Sequence, residues 1–218
     1  MIPNRPFRPQ PATARDKLLE AAVRLVRAQG FCATSVEQLC TEAGVTKGAF
    51  FHHFASKEQL GVAAAHYWSR STGEFFASAA FHNEPDPAAR VLGYIDLRIA
   101  LISGPAESFS CVAGTMLQES FATSPAIREA CAASIGANAC ALEDDIAAAL
   151  AARGLAEPAE IAQRAAGLAR HVQTVIQGAF VTAKALAPEQ AATAARESLG
   201  HLHRYLELLL VKEPADVR

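Results

Sequence analysis

Apolar residues recur every three or four positions along most of this chain, and prolines and glycines interrupt the pattern at intervals. This period is that of an amphipathic α-helix with one buried face. Alanine is frequent and runs of β-branched residues are few, which also favours helices over strands. The pattern predicts helices at about 14–29, 35–43, 47–53, 57–80, 87–103, 109–121, 125–153, 158–186 and 188–211. We therefore predict an all-α fold with about nine helices.

The strongest local signals lie in the second and third predicted helices. Thr34 and Glu37 have the spacing of a capping box at a helix N-terminus. Gly44 suits the left-handed conformation that commonly ends a helix, and Thr46 can cap the next helix at 47–53. Two short helices around a tight turn that contains glycine predict a helix-turn-helix motif, whose second helix enters the DNA major groove.

The second helix of this motif divides into an inward and an outward face. Phe50 and Phe54 are four residues apart and are predicted to lie in the core. Lys47 offers a cation for a phosphate or a guanine edge, Gly48 allows close approach, and Ala49 offers a methyl group for a thymine methyl. The predicted DNA-binding residues are Thr34, Thr46, Lys47, Gly48, Ala49, Phe51, His52 and Lys57.

Several of these candidates are included because of their place at a helix N-terminus. Thr34, Thr46 and Lys57 lie where free backbone amides and the helix dipole favour phosphate oxygens. The alternative for both threonines is a purely structural role as helix caps. Arg5 and Arg8, in the proline-rich N-terminal arm, are either minor-groove contacts or part of a solvated tail.

The distribution of charge also favours a nucleic-acid contact near the N-terminus. Residues 1–60 hold eight Lys or Arg against five Asp or Glu, whereas the remainder holds twelve against seventeen. The net charges are +3 and −5, although the whole chain carries only −2. A basic head on an acidic body is expected if only the head meets phosphates.

The head also carries a family resemblance. The segments 34–36 (Thr-Ser-Val), 43–54 (AGVTKGAFFHHF) and 56–58 (Ser-Lys-Glu) together resemble the DNA-binding domain of TetR-family transcriptional repressors, over about residues 13–62. The resemblance implies a homodimer with an all-α ligand-binding and dimerisation body, a double-stranded DNA operator and a small-molecule inducer. The family usually has a tyrosine at the position of Phe51, whose hydroxyl meets a phosphate, and Phe51 cannot donate that bond.

The expected domain organisation is a disordered arm at 1–13, a helix-turn-helix DNA-binding domain at 14–60 and a ligand-binding and dimerisation domain at 61–213. The last helix carries an apolar stripe at helical spacing, formed by Leu199, Leu202, Leu206 and Leu209. Two long apolar helices at the C-terminus are typical of half a four-helix dimer interface. An intramolecular core would give the same pattern.

Polar, sulfur-containing or aromatic residues inside apolar stretches of the body are candidates for a ligand pocket. They are Trp68, Tyr94, Arg98, Phe109, Cys111, Met116, His171, Gln177 and Lys184, and a wider set adds Gln118, Asn138 and Gln173. Any one of them also fits an ordinary surface or core position. Cys111 opens a predicted helix, where a thiol is more reactive, and its surroundings with residues 178–184 resemble a TetR subgroup that responds to electrophiles. The alternative for Cys111 is a small buried hydrophobe.

Other chemistry finds no support in residue spacing. His201 and His203 are two apart on a predicted helix and point to different faces, which is poor geometry for a shared metal ion. No GxSxG, Walker or Rossmann glycine motif is present, so we expect no catalytic residue, metal or cofactor. No signal peptide or membrane span is predicted, so we expect a cytoplasmic protein whose five cysteines are reduced thiols.

These features predict a ligand-responsive transcriptional repressor rather than an enzyme. It would bind a palindromic operator as a homodimer and leave the DNA when a small molecule or an electrophile binds. Activation or global regulation is the principal alternative within the family. The alternative from another class is an all-α small-molecule-binding or enzymatic protein with a vestigial DNA-binding head. DNA affinity that falls steeply with salt would separate the repressor from this last alternative.

Overall fold

The computed structural model describes residues 13–155 and 157–211, and this part of the chain is all-helical. The nine α-helices of the described part are α1 (Ala14–Gln29), α2 (Val36–Ala43), α3 (Lys47–His53), α4 (Lys57–Ala77), α5 (Pro87–Leu101), α6 (Val112–Ser120), α7 (Pro125–Ala152), α8 (Pro158–Ala183) and α9 (Pro188–Leu210). Short 3₁₀ turns at Ala80–Asn83 and Ala106–Ser108 precede α5 and α6. The predicted all-α fold is confirmed. Residues 1–12 of the predicted arm lie outside the described residues.

Local chemistry sets the helix boundaries in the first part of the chain. The Thr13 hydroxyl caps α1, which ends at Gly30 with φ +89°. Gly44 ends α2 at φ +63°, a left-handed conformation that glycine adopts without a Cβ clash. The Thr46 hydroxyl accepts from the Ala49 amide at 3.1 Å and caps α3. These predicted boundaries are confirmed.

The cap of α2 differs from the prediction. Its N-cap is Ser35 rather than Thr34, and the capping-box partner is Gln38. The Ser35 hydroxyl accepts from the Gln38 amide at 3.1 Å, and Gln38 Oε1 accepts from the Ser35 amide at 2.8 Å. Thr34 is buried, and its hydroxyl donates to the carbonyl of Gly30 at 2.6 Å. The predicted capping pair of Thr34 and Glu37 was wrong because the Thr34 hydroxyl already closes the turn between α1 and α2.

Packing divides the described chain into two units. The head unit contains the described residues through Phe75 together with Ser110–Ile135. The body unit contains Phe76–Phe109 with the described residues from Gly136 onward. The limits of these units fall within α4 and within α7. The domain limits expected from the sequence stay a prediction.

Apolar side chains from four helices form the core of the head unit. At most 1% of the surface is exposed for Leu18 and Leu19 of α1, Leu39 of α2, Phe50 of α3 and Leu60 of α4. Burying one such side chain stabilises a fold by about 1.5–3 kcal/mol. Phe54 is also buried, so the predicted inward face of α3 is confirmed. The core holds α3 from one side and leaves its other side exposed.

In the body unit, α9 packs against α5 and α8. Leu199, Leu202 and Leu206 are buried within the chain, as the alternative of an intramolecular core expects, whereas Leu209 is 37% exposed and Leu210 is buried instead. Eleven residues make about three full turns of a helix, so residue 210 rather than 209 returns to the buried face. None of the helices described above has the length and apolar composition that a bilayer-spanning segment needs.

Candidate nucleic-acid interface and ligand-binding residues

Helix α3 presents most of the predicted contact residues on one face. Its exposed residues include Lys47, Gly48, Phe51 and His52, and Ala49 is half-buried. The Phe51 side chain is 51% exposed, although the neighbouring Phe50 is fully buried. A Cβ built at Gly48 would meet only Thr46 Oγ1, at 3.8 Å. The backbone of α3 is therefore open to close approach at Gly48.

Lys47 is paired with a carboxylate of α2. Its Nζ lies 2.6 Å from Glu37 Oε1, and the two side chains are 60% and 65% exposed. The hydrogen bond to Glu37 raises the pKa of Lys47, and the same bond lowers the pKa of Glu37. Water screens an ion pair this exposed, so it adds little to stability. Lys47 can therefore exchange its carboxylate partner for a phosphate.

Thr34 and Lys57 contact the turn between α1 and α2. Thr34 is buried and bonds the carbonyl of Gly30, as described above. Lys57 Nζ donates to the Cys32 carbonyl at 3.2 Å and lies 4.6 Å from the centre of the Phe31 ring. Both side chains thus support the motif from within the protein, and their contacts with DNA stay a prediction.

Comparison with known proteins identifies this motif. Residues 18–64 match the family model for bacterial regulatory proteins of the tetR family. The matched segment contains the whole of α2 and α3 and the first turns of α4. Residues 18–64 therefore form a TetR-family domain.

Curated relatives that match part of this chain are transcription regulators. The repressor KstR2 of Mycolicibacterium smegmatis is 42% identical over 60 residues, which are 28% of each chain. The regulator LmrA of Bacillus subtilis is 29% identical over 119 residues, which are 54% of this chain and 63% of LmrA. The chain therefore spans less than two thirds of the length of either relative.

Solved structures extend the similarity of fold to most of the chain. The crystal structure of reduced NemR from E. coli matches 93% of this chain and 100% of NemR, with a TM-score of 0.71. The sequence identity is 21%. At this identity the similarity concerns the fold, and the function must be argued from the site.

In the body unit, two predicted ligand-binding residues meet. Arg98 donates to the Tyr94 hydroxyl from Nε at 3.0 Å and from Nη2 at 2.7 Å. Gln173 Nε2 donates to the same hydroxyl at 3.3 Å. The guanidinium carbon of Arg98 also lies 4.0 Å from the centre of the Phe76 ring. Tyr94 and Gln173 are buried, so the hydroxyl is the centre of a buried polar cluster.

The other ligand-binding candidates are dispersed. In the body unit, the rings of Phe109 and Phe180 lie 5.7 Å apart, and the rings of His171 and Tyr205 lie 5.5 Å apart. In the head unit, Met116 is fully buried, and the Trp68 ring lies 5.5 Å from the guanidinium carbon of Arg27. Gln177 is half-buried and Lys184 is exposed. The candidates thus include a buried polar cluster, aromatic core positions and exposed positions.

Cys111 is the N-cap of α6, which agrees with its predicted position at the start of a helix. Its Sγ accepts from the Gly114 amide at 3.3 Å, and the residue is 9% exposed. Burial, and secondly the electrostatic effect of Cys111, raise the pKa of Cys131 to about 12. All five cysteines are free.

Among the described residues, no group of three or more His, Cys, Asp or Glu converges as metal ligands do.

A groove in the head unit was not anticipated from the sequence. It has a volume of about 310 Å³ and lies between α1, α4 and the start of α7. Arg15, His66, Tyr67 and Arg70 contribute polar groups to its wall, and Val62 contributes apolar surface. Helical periodicity indicates which face of one helix is apolar, but it does not show which helices pack together to form a groove.

Proposed function

We propose that this protein is a cytoplasmic transcriptional repressor of the TetR family that binds a palindromic double-stranded DNA operator as a homodimer. A small molecule or an electrophile that binds the protein releases the DNA. The observation that carries the proposal is the exposed face of α3, where Lys47, Gly48 and Phe51 face outward on a helix anchored by Phe50. A regulator of this kind needs no catalytic residue, metal or cofactor.

The outward side chains of α3 have complementary roles in a major groove. Lys47 leaves Glu37 and contacts a phosphate or a guanine edge. Gly48 allows the helix backbone to come close to the base edges, and the Ala49 methyl group packs against a thymine methyl. His52 donates to a phosphate, which positions the helix without reading the sequence. The neutral, exposed ring of Phe51 packs against the sugar-phosphate backbone.

Exposed residues on α8 and α9 support a homodimer. They form what we call the C-terminal face: His171, Thr174, Gly178 and Val181 of α8, with His201, Tyr205 and Leu208 of α9. Their spacing of three or four residues places each set on one side of its helix. The contact between the rings of His171 and Tyr205 joins the two sets. Tyr205 and Leu208 are 43% and 53% exposed, and a second copy of the chain would cover them.

A dimer with twofold symmetry requires an operator with matching symmetry. Each head would read one half-site, and two recognition helices in successive major grooves lie about 34 Å apart. The proposed operator is therefore a palindrome whose half-site centres are about one helical turn apart. This geometry is tested by moving the half-sites apart one base pair at a time.

The buried cluster around Tyr94 is the proposed site for a reversible inducer. A ligand group that accepts hydrogen bonds from Arg98 would compete with the Tyr94 hydroxyl for the same donors. A ligand releases DNA only if it binds the DNA-free conformation more tightly than the DNA-bound one. Cys111 is the proposed site for an electrophile, because alkylation would add a group to the sulfur that accepts a hydrogen bond from the Gly114 amide at the start of α6.

The first experiment is a mobility-shift titration with the DNA that flanks the protein's own gene. We expect wild-type protein to bind this DNA at low salt, and we expect a thiol-reactive electrophile to release it. Cys111→Ser should bind equally well and resist the electrophile. Release of both proteins would exclude Cys111 as the sensor. Failure to bind either the flanking DNA or any member of a random-sequence duplex library would overturn the proposed DNA binding.

Dimer formation has a separate test in light scattering after size-exclusion chromatography. Wild-type protein should have twice the mass of one chain, and Leu208→Glu should be monomeric because it places charges in the proposed interface. The matched control is Phe121→Glu, since Phe121 is 59% exposed and lies outside the C-terminal face. A dimeric Leu208→Glu would contradict the proposed interface.

A further inference from the structure

The turn between α1 and α2 is held by a carboxylate from a distant part of the chain. Glu119 Oε2 accepts from the Phe31 amide at 2.6 Å and from the Cys32 amide at 2.9 Å. A Cβ at Gly30 would collide with the same carboxylate, and Gly30 has a φ of +89°. Gly30 therefore leaves the space into which the Glu119 side chain fits.

The position of Glu119 in its own helix is otherwise unfavourable. It is the next-to-last residue of α6, where the negative end of the helix dipole disfavours a carboxylate. The two amides of the turn offset this effect, because charged acceptors make stronger hydrogen bonds than neutral ones. A residue that contradicts a local preference and finds its partners elsewhere often has a functional reason.

Further contacts join the same parts of the head unit. The Ser124 hydroxyl, at the start of α7, donates to the carboxylate of Glu58 in the first turn of α4. A Cβ at Gly61 would lie 2.8 Å from Phe31 Cζ and 3.0 Å from Ile127 Cδ1, so α4, α7 and the turn pack without spare space. We call Glu119, Ser124 and Ile127 the α6–α7 corner. This corner contacts the α1–α2 turn through polar groups and through apolar packing.

The turn leads directly into the helix-turn-helix motif. Thr34, one residue before the cap of α2, donates to the carbonyl of Gly30 at 2.6 Å. Helix α2 packs against α3, and Glu37 of α2 pairs with Lys47 of α3. A shift of the turn would therefore move α2, and with it the exposed face of α3.

We propose that Glu119 is a positioning residue for DNA binding, whose carboxylate holds the α1–α2 turn and fixes the recognition helix against the α6–α7 corner. The proposal rests on the proposed DNA-binding function, but the contact itself can be measured without DNA. Glu119 does not touch the DNA. It acts through the turn, so its loss should change affinity without removing any contact with a phosphate.

The test compares Glu119→Ala with Glu129→Ala, which removes an exposed carboxylate from α7. Removing a negative charge from a DNA-binding protein should leave its affinity unchanged or raise it. We expect Glu129→Ala to behave in this way. Glu119→Ala should instead bind the operator about tenfold more weakly, because two backbone amides lose their charged acceptor. The opposite sign distinguishes positioning from a simple effect of charge.

Hydrogen exchange in the absence of DNA provides the second measurement. The amides of Phe31 and Cys32 should exchange faster in Glu119→Ala than in wild type, at equal overall helicity. Glu119→Gln keeps the length of the side chain and one acceptor oxygen. Its operator affinity and its amide exchange should therefore lie between those of wild type and Glu119→Ala. If the alanine variant does not fold, the glutamine variant provides the same comparison.

Two results would overturn the proposal while the DNA-binding function stands. One is wild-type operator affinity in Glu119→Ala, or a gain equal to that of Glu129→Ala. The other is unchanged exchange of the Phe31 and Cys32 amides in Glu119→Ala, or in Glu119→Gln if the alanine variant does not fold. A wild-type protein that binds no DNA would instead refute the proposed function and leave the amide measurement to test the contact.

Discussion

Phe51→Tyr should convert this protein into a tighter DNA binder. The side chain lies on the exposed face of α3 and is 51% exposed, so a hydroxyl can be added without a clash in the core. The TetR family, which this segment resembles, usually has a tyrosine at this position, and its hydroxyl meets a phosphate. The natural phenylalanine lacks this donor, and the variant would supply it on an otherwise unchanged helix.

The magnitude follows from what the hydroxyl exchanges. A hydrogen bond to a charged group contributes about 1.5–3 kcal/mol, but an exposed hydroxyl must first give up water. We therefore expect about 1 kcal/mol for each head, which is about 2 kcal/mol for a dimer. This corresponds to a tightening of about 30-fold in operator affinity. The slope of affinity against salt should not change, because the added group is neutral and releases no counterion.

Fluorescence anisotropy titrations of wild type and Phe51→Tyr with one labelled operator would measure this effect. The matched control is Phe121→Tyr, which adds the same hydroxyl at a residue that is 59% exposed and outside the recognition helix. The control should bind as wild type does. Equal affinity of Phe51→Tyr and wild type, or an equal gain in the control, would show that residue 51 does not face a phosphate.

The remaining predictions concern the head unit. Phe50→Ala should lower the free energy of unfolding by about 3–5 kcal/mol in urea titrations, because it empties a fully buried position, and a loss below about 1 kcal/mol would contradict that burial. Iodoacetamide at about pH 8 should label the exposed Cys32 and spare Cys131, because burial raises the pKa of Cys131 to about 12. Mass spectrometry of the peptides measures the labelling of each cysteine, and equal labelling would contradict the burial of Cys131. Lys47→Ala should raise the pKa of Glu37 in an NMR titration, because the hydrogen bond that lowers it is lost, whereas an unchanged pKa would refute the ion pair.

Much of the local structure follows from the sequence. Gly30, Gly44 and Thr46 mark helix ends through their own chemistry, and the spacing of Phe50 and Phe54 defines the inner face of α3. The helix-turn-helix was therefore predictable from short-range patterns. Its recognition helix has the predicted limits.

Competition between similar signals explains the error at α2. The sequence contains two overlapping capping-box patterns, Thr34 with Glu37 and Ser35 with Gln38. The residue spacing does not distinguish the two patterns. Ser35 caps α2 because the buried Thr34 hydroxyl already donates to the carbonyl of Gly30. That bond depends on how the preceding turn folds.

Contacts between distant residues were beyond the reach of sequence patterns. Glu119 meets Phe31 across 88 positions of the chain, and Gln173 meets Tyr94 across 79. Periodicity gives the buried face of each helix but not the helix that covers it. The buried polar cluster and the α6–α7 corner could therefore be identified only from the folded chain.

Salt dependence of operator binding tests the central claim most directly. Affinities of wild type and Lys47→Ala would be measured at several salt concentrations, with Lys184→Ala as a control cation in the body unit. A dimer carries two copies of Lys47, so Lys47→Ala should make the slope of log affinity against log salt shallower by about 2, and the control should keep the wild-type slope. Equal slopes for wild type and Lys47→Ala would contradict the assignment of α3 as the helix that binds DNA.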